Sequence, residues 1–173
     1  VMISYAHEAE EGPAWAEQAL SLADLLDDHG FVTEIDQRHA HESIDWAVYG
    51  PARCTDSDFV VCMASPEYVT AWTTEQLGTD SGQGNFGARE ETRAIIDRKK
   101  RTGNGFLVWA VMDGRTQGDM PPTERSVNWV AVPAVTAPGV SGLLARLRGR
   151  PLDSIGQPAR VVANPRPSSA HIV

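Results

Sequence analysis

The chain reads as a single α/β domain, a five-stranded parallel sheet with helices on both faces. Three observations predict it. Apolar runs of strand length alternate with segments of helical period from residue 1 to about residue 150. One run, Phe59-Val60-Val61-Cys62-Met63-Ala64, is apolar throughout and bounded by turn residues, the pattern of a strand buried on both faces. The length of 173 residues, with 42% hydrophobic and 22% charged, suits one domain with a real core and a short tail. Parallel neighbours need right-handed crossovers, and the small size favours the flavodoxin-like order 2-1-3-4-5 over a full dinucleotide-binding fold.

The elements follow in order. Val1-Met2-Ile3 is the first strand, running into Ser4-Tyr5-Ala6-His7-Glu8 and an acidic loop punctuated by Gly12-Pro13. Trp15, Ala19, Leu22, Ala23 and Leu26 recur at helical spacing, and Gly30 stops that helix. Residues 31–36 alternate apolar and polar groups as a second strand, and 37–42 form a loop. Ser43 or Asp45 caps the next helix, which carries Ile44, Val48 and Ala52 on one face, has a kink at Gly50-Pro51 and ends at Thr55-Asp56-Ser57-Asp58. Residues 59–64 are the third strand. Ser65-Pro66-Glu67-Tyr68 leaves it, and the Gly-, Ser- and Thr-rich stretch 73–87 reads as a long mobile loop before a helix over 88–100. The segment 79–87 has the composition of a gate. Residues 106–111 and 129–132 supply the fourth and fifth strands, and a last helix over 140–148 ends at Gly149. The domain closes near residue 150; the tail 151–173, with Pro151, Pro158, Pro165 and Pro167, is a linker or a strap rather than a second domain.

Composition removes several classes of function. Lys and Arg number 15 against 23 Asp and Glu, a net charge of −8, so no surface is built to displace phosphate counterions and nucleic acid is not expected as a partner. No apolar run approaches the roughly 20 residues needed to span a bilayer. The chain opens on Val1 without a leader, as a domain cut from a longer polypeptide would, and a reducing, cytoplasmic setting fits its two cysteines, Cys54 and Cys62. Neither GxGxxG nor GxxxxGK[ST] follows the first strand, which disfavours dinucleotide-fold and P-loop enzymes. His39 and His41 lack a third ligand at informative spacing, so no metal is expected, and Ser4 lacks the GxSxG elbow of a hydrolase nucleophile. In a 2-1-3-4-5 sheet the ligand crevice opens between the carboxyl ends of the first and third strands, which makes Ser4-Tyr5 and Ser65-Pro66 its two lips.

Three boxes then resemble one family. Ile3-Ser4-Tyr5-Ala6-His7-Glu8 is similar to the opening box of TIR-type domains, and in particular of their SEFIR relatives. Gly30-Phe31-Val32 with Asp36-Gln37 and Asp45-Trp46 resembles the second SEFIR box, and Asp56-Ser57-Asp58-Phe59-Val60-Val61-Cys62 with Ser65-Pro66-Glu67-Tyr68 the third. The resemblance runs from Ile3 to about Ile96 and weakly on to Pro151. It implies a TIR-like sheet of order 2-1-3-4-5 and one of two roles. One is an NAD+ nucleosidase (NAD+ glycohydrolase) effector domain of bacterial antiphage immunity, activated by self-assembly, with a sensor fused elsewhere; the Ala-, Arg-, Gly- and Val-rich composition fits that source. The other is a noncatalytic adaptor that pairs with further SEFIR or TIR domains.

For the enzyme, the resemblance implies a catalytic glutamate on the helix after the third strand. Glu91 matches the family's Glu-x-x-apolar-apolar pattern against Ile95-Ile96, with Glu90 as the fallback, since relatives often carry an aromatic residue where Glu90 stands. Without the family, a Glu pair in a first helical turn is dipole compensation. The chemistry suits a carboxylate: loss of nicotinamide leaves an oxocarbenium-like ribosyl cation that an ionised glutamate stabilises, nicotinamide departs neutral, and NAD+ is substrate with no cofactor or metal needed. Ser4, Tyr5, Asp36, Trp46 and Ser65 are the expected substrate contacts, although Trp46 also suits helix packing and Asp36 a loop cap. The loop 37–43, with Arg38, His39, His41 and Glu42, lies where the family places an assembly contact, or is an ordinary solvated loop with little burial to lose.

Overall fold

The structure, a computed structural model, describes residues 1–7, 15–79, 86–126 and 128–149. Its strands are β1 (Met2–Ser4), β2 (Val60–Met63), β3 (Leu107–Met112) and β4 (Trp129–Val132), and its helices α1 (Trp15–Asp28), α2 (Trp46–Asp56), α3 (Pro66–Leu77), α4 (Phe86–Thr102) and α5 (Ser141–Leu147). The four strands form one parallel sheet in the order β1-β2-β3-β4, in register Ser4 to Cys62, Cys62 to Trp109 and Trp109 to Trp129.

Alternate residues of each strand face opposite ways, so a sheet covered on both sides needs apolar side chains at every position. Ile3, Val61, Met63, Val108, Ala110 and Met112 pack with Trp15, Leu22 and Leu26 of α1 and Leu143 and Leu147 of α5. Met2, Val60, Cys62, Leu107, Trp109 and Val111 pack on the opposite face with Cys54 of α2, Tyr68 and Trp72 of α3 and Ile95 of α4. The buried face of α1 is Trp15, Ala19, Leu22, Ala23 and Leu26, as its spacing predicts. Gly30, at φ 89°, takes the left-handed turn that ends this unit at no steric cost.

The expected second strand is corrected. Residues 31–36 make a single parallel bridge, Glu34 to Met2, on the free edge of β1, and the five-strand order reduces to four strands among the described residues. Glu34 turns both its backbone groups to β1, its N–H donating to Val1 O at 2.8 Å and its carbonyl accepting from Ile3 N at 3.0 Å, so those of Thr33 face outward, where the N–H donates to Asp27 Oδ1 at 2.9 Å and the carbonyl accepts from Arg38 Nη1 at 3.2 Å. A short 3-10 helix, Asp36–His39, stands where a loop was expected.

Two further expectations change. The stretch 73–87 is not one loop, because α3 runs to Leu77 and stops at Gly78, with Ser65 Oγ accepting from Tyr68 N at 3.1 Å as its N-cap and Pro66 opening it. Most of the expected gate, residues 80–85, and the tail 150–173 lie outside the described residues. On α2, capped by Asp45, the buried line is Gly50 and Cys54 with half-buried Trp46, while Val48 is 68% exposed. The close approach of α4 selects that line, and Arg98 of α4 donates to the carbonyls of Cys54 and Ser57 at the end of α2. Cys54 and Cys62 are both free and buried.

Arg38 is a clasp rather than a dispensable loop charge. Its guanidinium reaches Asp24 at 2.6 Å, Asp27 at 2.7 Å and Thr33 Oγ1 at 2.8 Å, tying the 3-10 turn to the end of α1. Arg38→Glu is expected to lose these bonds and place like charges together, at a cost of about 1–2 kcal/mol after solvent screening, or roughly 3–6 °C in melting temperature. A thermal melt within a degree of the unsubstituted protein would contradict the clasp.

Candidate functional site

The sheet's carboxyl edge brings together residues that lie far apart in sequence. Ser4 ends β1, and its hydroxyl donates to Glu91 Oε2 on α4 while lying 2.7 Å from Tyr68 Oη on α3. Trp46, in the first turn of α2, donates its indole N–H to Glu91 Oε1 at 2.6 Å. Glu91 itself is only 4% exposed. A crevice of about 50 Å³ is lined by Ile3, Tyr5, His7, Asp36, Trp46, Gly87, Ala88 and Glu91. Across it Tyr5 Oη donates to Asp36 Oδ1 at 2.8 Å, and His7 Nε2 lies 2.6 Å from Asp36 Oδ2.

A family profile described as TIR domain matches residues 1–137, most of the chain and every residue of this site. The chain belongs to the TIR domain family. Comparison with curated proteins and with solved structures finds no match. The family includes NAD+ hydrolases and adaptors, and its domains generally associate with one another.

Of the residues singled out in the sequence, this TIR domain gathers Ser4, Tyr5, Asp36, Trp46 and Glu91 at one place. Ser65 is buried as the cap of α3 and does not line the crevice. Glu90 lies off the crevice, its carboxylate held by Arg93 at 3.0 and 3.1 Å. Arg38 forms the clasp already described, and His41 is exposed. His39 Nε2 lies 3.1 Å from Glu34 Oε2, and its Nδ1 meets Glu42 at 3.2 Å, an ion-pair distance without hydrogen-bond geometry. His39 also packs near Trp46 and Tyr49, with ring centroids 6.0 and 5.3 Å away. No group of three potential ligands gathers to hold a metal among the described residues, and no described helix is long and apolar enough to cross a membrane.

Sequence reasoning missed three contributors: His7, Tyr68 and Gly50. The first two were visible inside the quoted boxes but carried no assigned role. The sequence predicts a kink at Gly50; its purpose is clearance, since a Cβ there would lie 2.7 Å from Trp46 Nε1 and 2.8 Å from Glu91 Oε1.

Electrostatics also departs from expectation. A glutamate in water is ionised at neutral pH, but burial pushes the Glu91 carboxyl up to about 7, against the opposing pull of hydrogen bonds from Ser4 and Trp46. Glu91 is therefore partly protonated near neutrality. Burial also raises Asp36, yet hydrogen bonds from His7 and Tyr5 outweigh it and hold that carboxyl below the usual range. The bond to Asp36 in turn raises His7 above its ordinary value, against desolvation.

Two outcomes follow from this geometry. Because the folded chain binds a proton at Glu91 more tightly than the unfolded chain, its contribution is full below about pH 4.5 and is lost as pH rises through about 7. Replacing Glu91 by Gln is expected to flatten this fall, stabilising the protein at pH 8 relative to pH 5 by roughly 2.5 kcal/mol compared with the parent; parallel pH–stability curves for the two proteins would refute the shift. Gly50→Ala should destabilise by about 1–3 kcal/mol through overpacking and move the Trp46 fluorescence. Helix propensity alone predicts the opposite, a gain of about 1 kcal/mol, so the sign of the change in melting temperature decides.

Proposed function

We propose that this TIR domain is a SEFIR-type effector that cleaves NAD+ at the nicotinamide–ribose bond, with Glu91 as the catalytic carboxylate. The observation that carries the reading is the setting of Glu91: a buried carboxylate at the carboxyl edge of a parallel sheet, each oxygen held by a donor from a different element. Anions placed in a water-poor site act most strongly on charge that develops during reaction. As the bond to nicotinamide breaks, its electron pair leaves with the ring nitrogen, and positive charge grows on the ribose; the ionised form of Glu91 stabilises that charge. Tyr5 and Trp46 offer aromatic surface to the substrate, and Ser4 orients the carboxylate.

A crevice of about 50 Å³ is far below the roughly 300 Å³ at which small-molecule pockets begin, so the enzyme reading requires Trp46 to swing away from Glu91. Self-assembly, as in an antiphage response, is the natural trigger, since a neighbouring domain can hold the opened form. The same small volume favours the second reading, a noncatalytic homotypic adaptor whose crevice stays shut.

The test is nicotinamide release from NAD+ by concentrated or artificially clustered protein. Glu91→Gln is expected to lower the rate on the order of 100-fold or more, and Glu90→Gln to leave it within about twofold, as suits a surface ion pair. Self-association without nicotinamide release at any concentration would leave the adaptor reading standing and sink the enzyme.

A further inference from the structure

The crevice contains a second polar group that the cleavage step leaves idle. Asp36 receives Tyr5 Oη on one carboxylate oxygen and His7 Nε2 on the other, at 2.8 and 2.6 Å. Tyr5 is 5% exposed and its ring lies 4.9 Å from that of His7, so one wall of the pair is fixed. In its neutral form, an imidazole bonded to a carboxylate through Nε2 keeps its proton there and leaves Nδ1 as the lone pair. That is the arrangement of an oriented base, and the two members line the same crevice as Glu91.

Glycosidic cleavage needs no proton, because nicotinamide departs neutral. Hydrolysis does: a water oxygen must bond to the ribose carbon and then shed a proton. Glu91 is already committed in the opened site, one oxygen to Ser4 and the other, freed of Trp46, to the cationic ribose. Resting on the glycohydrolase reading, we propose that His7, oriented by Asp36, is the general base that accepts this proton at Nδ1. The bond from nicotinamide nitrogen to the ribose carbon breaks with its electrons on nitrogen. The water oxygen then forms the new bond, its proton passes to His7 Nδ1, and His7 returns that proton to solvent. Tyr5 and Asp36 are positioning residues in this scheme.

The experiment compares two fates of the same ribosyl cation. Capture by water forms ADP-ribose and releases a proton, whereas capture by labelled free nicotinamide regenerates NAD+ through a ring nitrogen that carries no proton to lose. In the clustered chain, His7→Gln is expected to raise the ratio of exchange to hydrolysis on the order of 100-fold, the usual worth of a general base. Asp36→Asn should raise it less, and in the NMR titration of the His7 ring it should lower the pKa. An unchanged ratio in His7→Gln, or a His7 titration indifferent to Asp36→Asn, overturns the inference alone. Absence of both exchange and hydrolysis from the unsubstituted protein overturns the glycohydrolase reading and this inference together. His7 is largely exposed, with 61% of its side chain in solvent, and the ratio is insensitive to the fraction of protein folded.

Discussion

Everything at the carboxyl edge of this sheet is arranged around the cost of burying one carboxylate. Placing an ionised glutamate in a medium of low polarity is expensive unless donors meet its oxygens, and an unpaired one simply holds its proton. Here Ser4 and Trp46 meet both oxygens of Glu91, yet burial still raises its pKa to about 7. The two donors come from β1 and α2, and the carboxylate from α4, so the positions of three elements depend on one side chain. Gly50 completes the arrangement by removing the Cβ that would otherwise keep α2 from that distance.

A group half-protonated at neutrality needs partners that suit both of its states. The line behind Glu91 provides them: Ser4 Oγ lies 2.7 Å from Tyr68 Oη, which lies 3.4 Å from Cys62 Sγ. When Glu91 is ionised, Ser4 donates to it and accepts from Tyr68. Protonated, Glu91 donates to Ser4, Ser4 to Tyr68 and Tyr68 to Cys62. Each hydroxyl carries one proton and can turn it either way, so no member of the chain is stranded in either state. Burial raises the Cys62 thiol and the Tyr68 phenol well above their ordinary values, which keeps both as neutral relay members.

The open edge of the sheet obeys a different economy. β1 is three residues long and pairs fully on one side only. On the other, Glu34 alone forms a bridge, its N–H donating to Val1 O and its carbonyl accepting from Ile3 N, while Asp27 and Arg38 take the outward-facing backbone groups of Thr33 and so cover the free edge. The chain then turns directly into Asp36–His39, and that turn delivers Asp36 to Tyr5 and His7. A longer second strand would have carried Asp36 on along the edge.

The doubly wound class, the buried central strand and the face of α1 were all legible in the chain, because each rests on local periodicity. Helix α3 escaped notice since Thr70, Thr73 and Thr74 weaken its helical signal, although Tyr68, Ala71 and Trp72 fall on one buried face. The face of α2 was misjudged because Ile44, Val48 and Ala52 are as well spaced as Trp46, Gly50 and Cys54; only contact with α4 distinguishes a glycine that admits a neighbour from one that bends a helix. The sequence by itself determined four of the strands to within a residue at each end, since their apolar runs are local patterns. Only the tertiary structure decided which of them meet, that Glu91 rather than Glu90 faces the crevice, that Arg38 is a clasp and that His7 stands on Asp36. Those facts depend on contacts between side chains as far as 87 residues apart and on a degree of burial that no local pattern encodes.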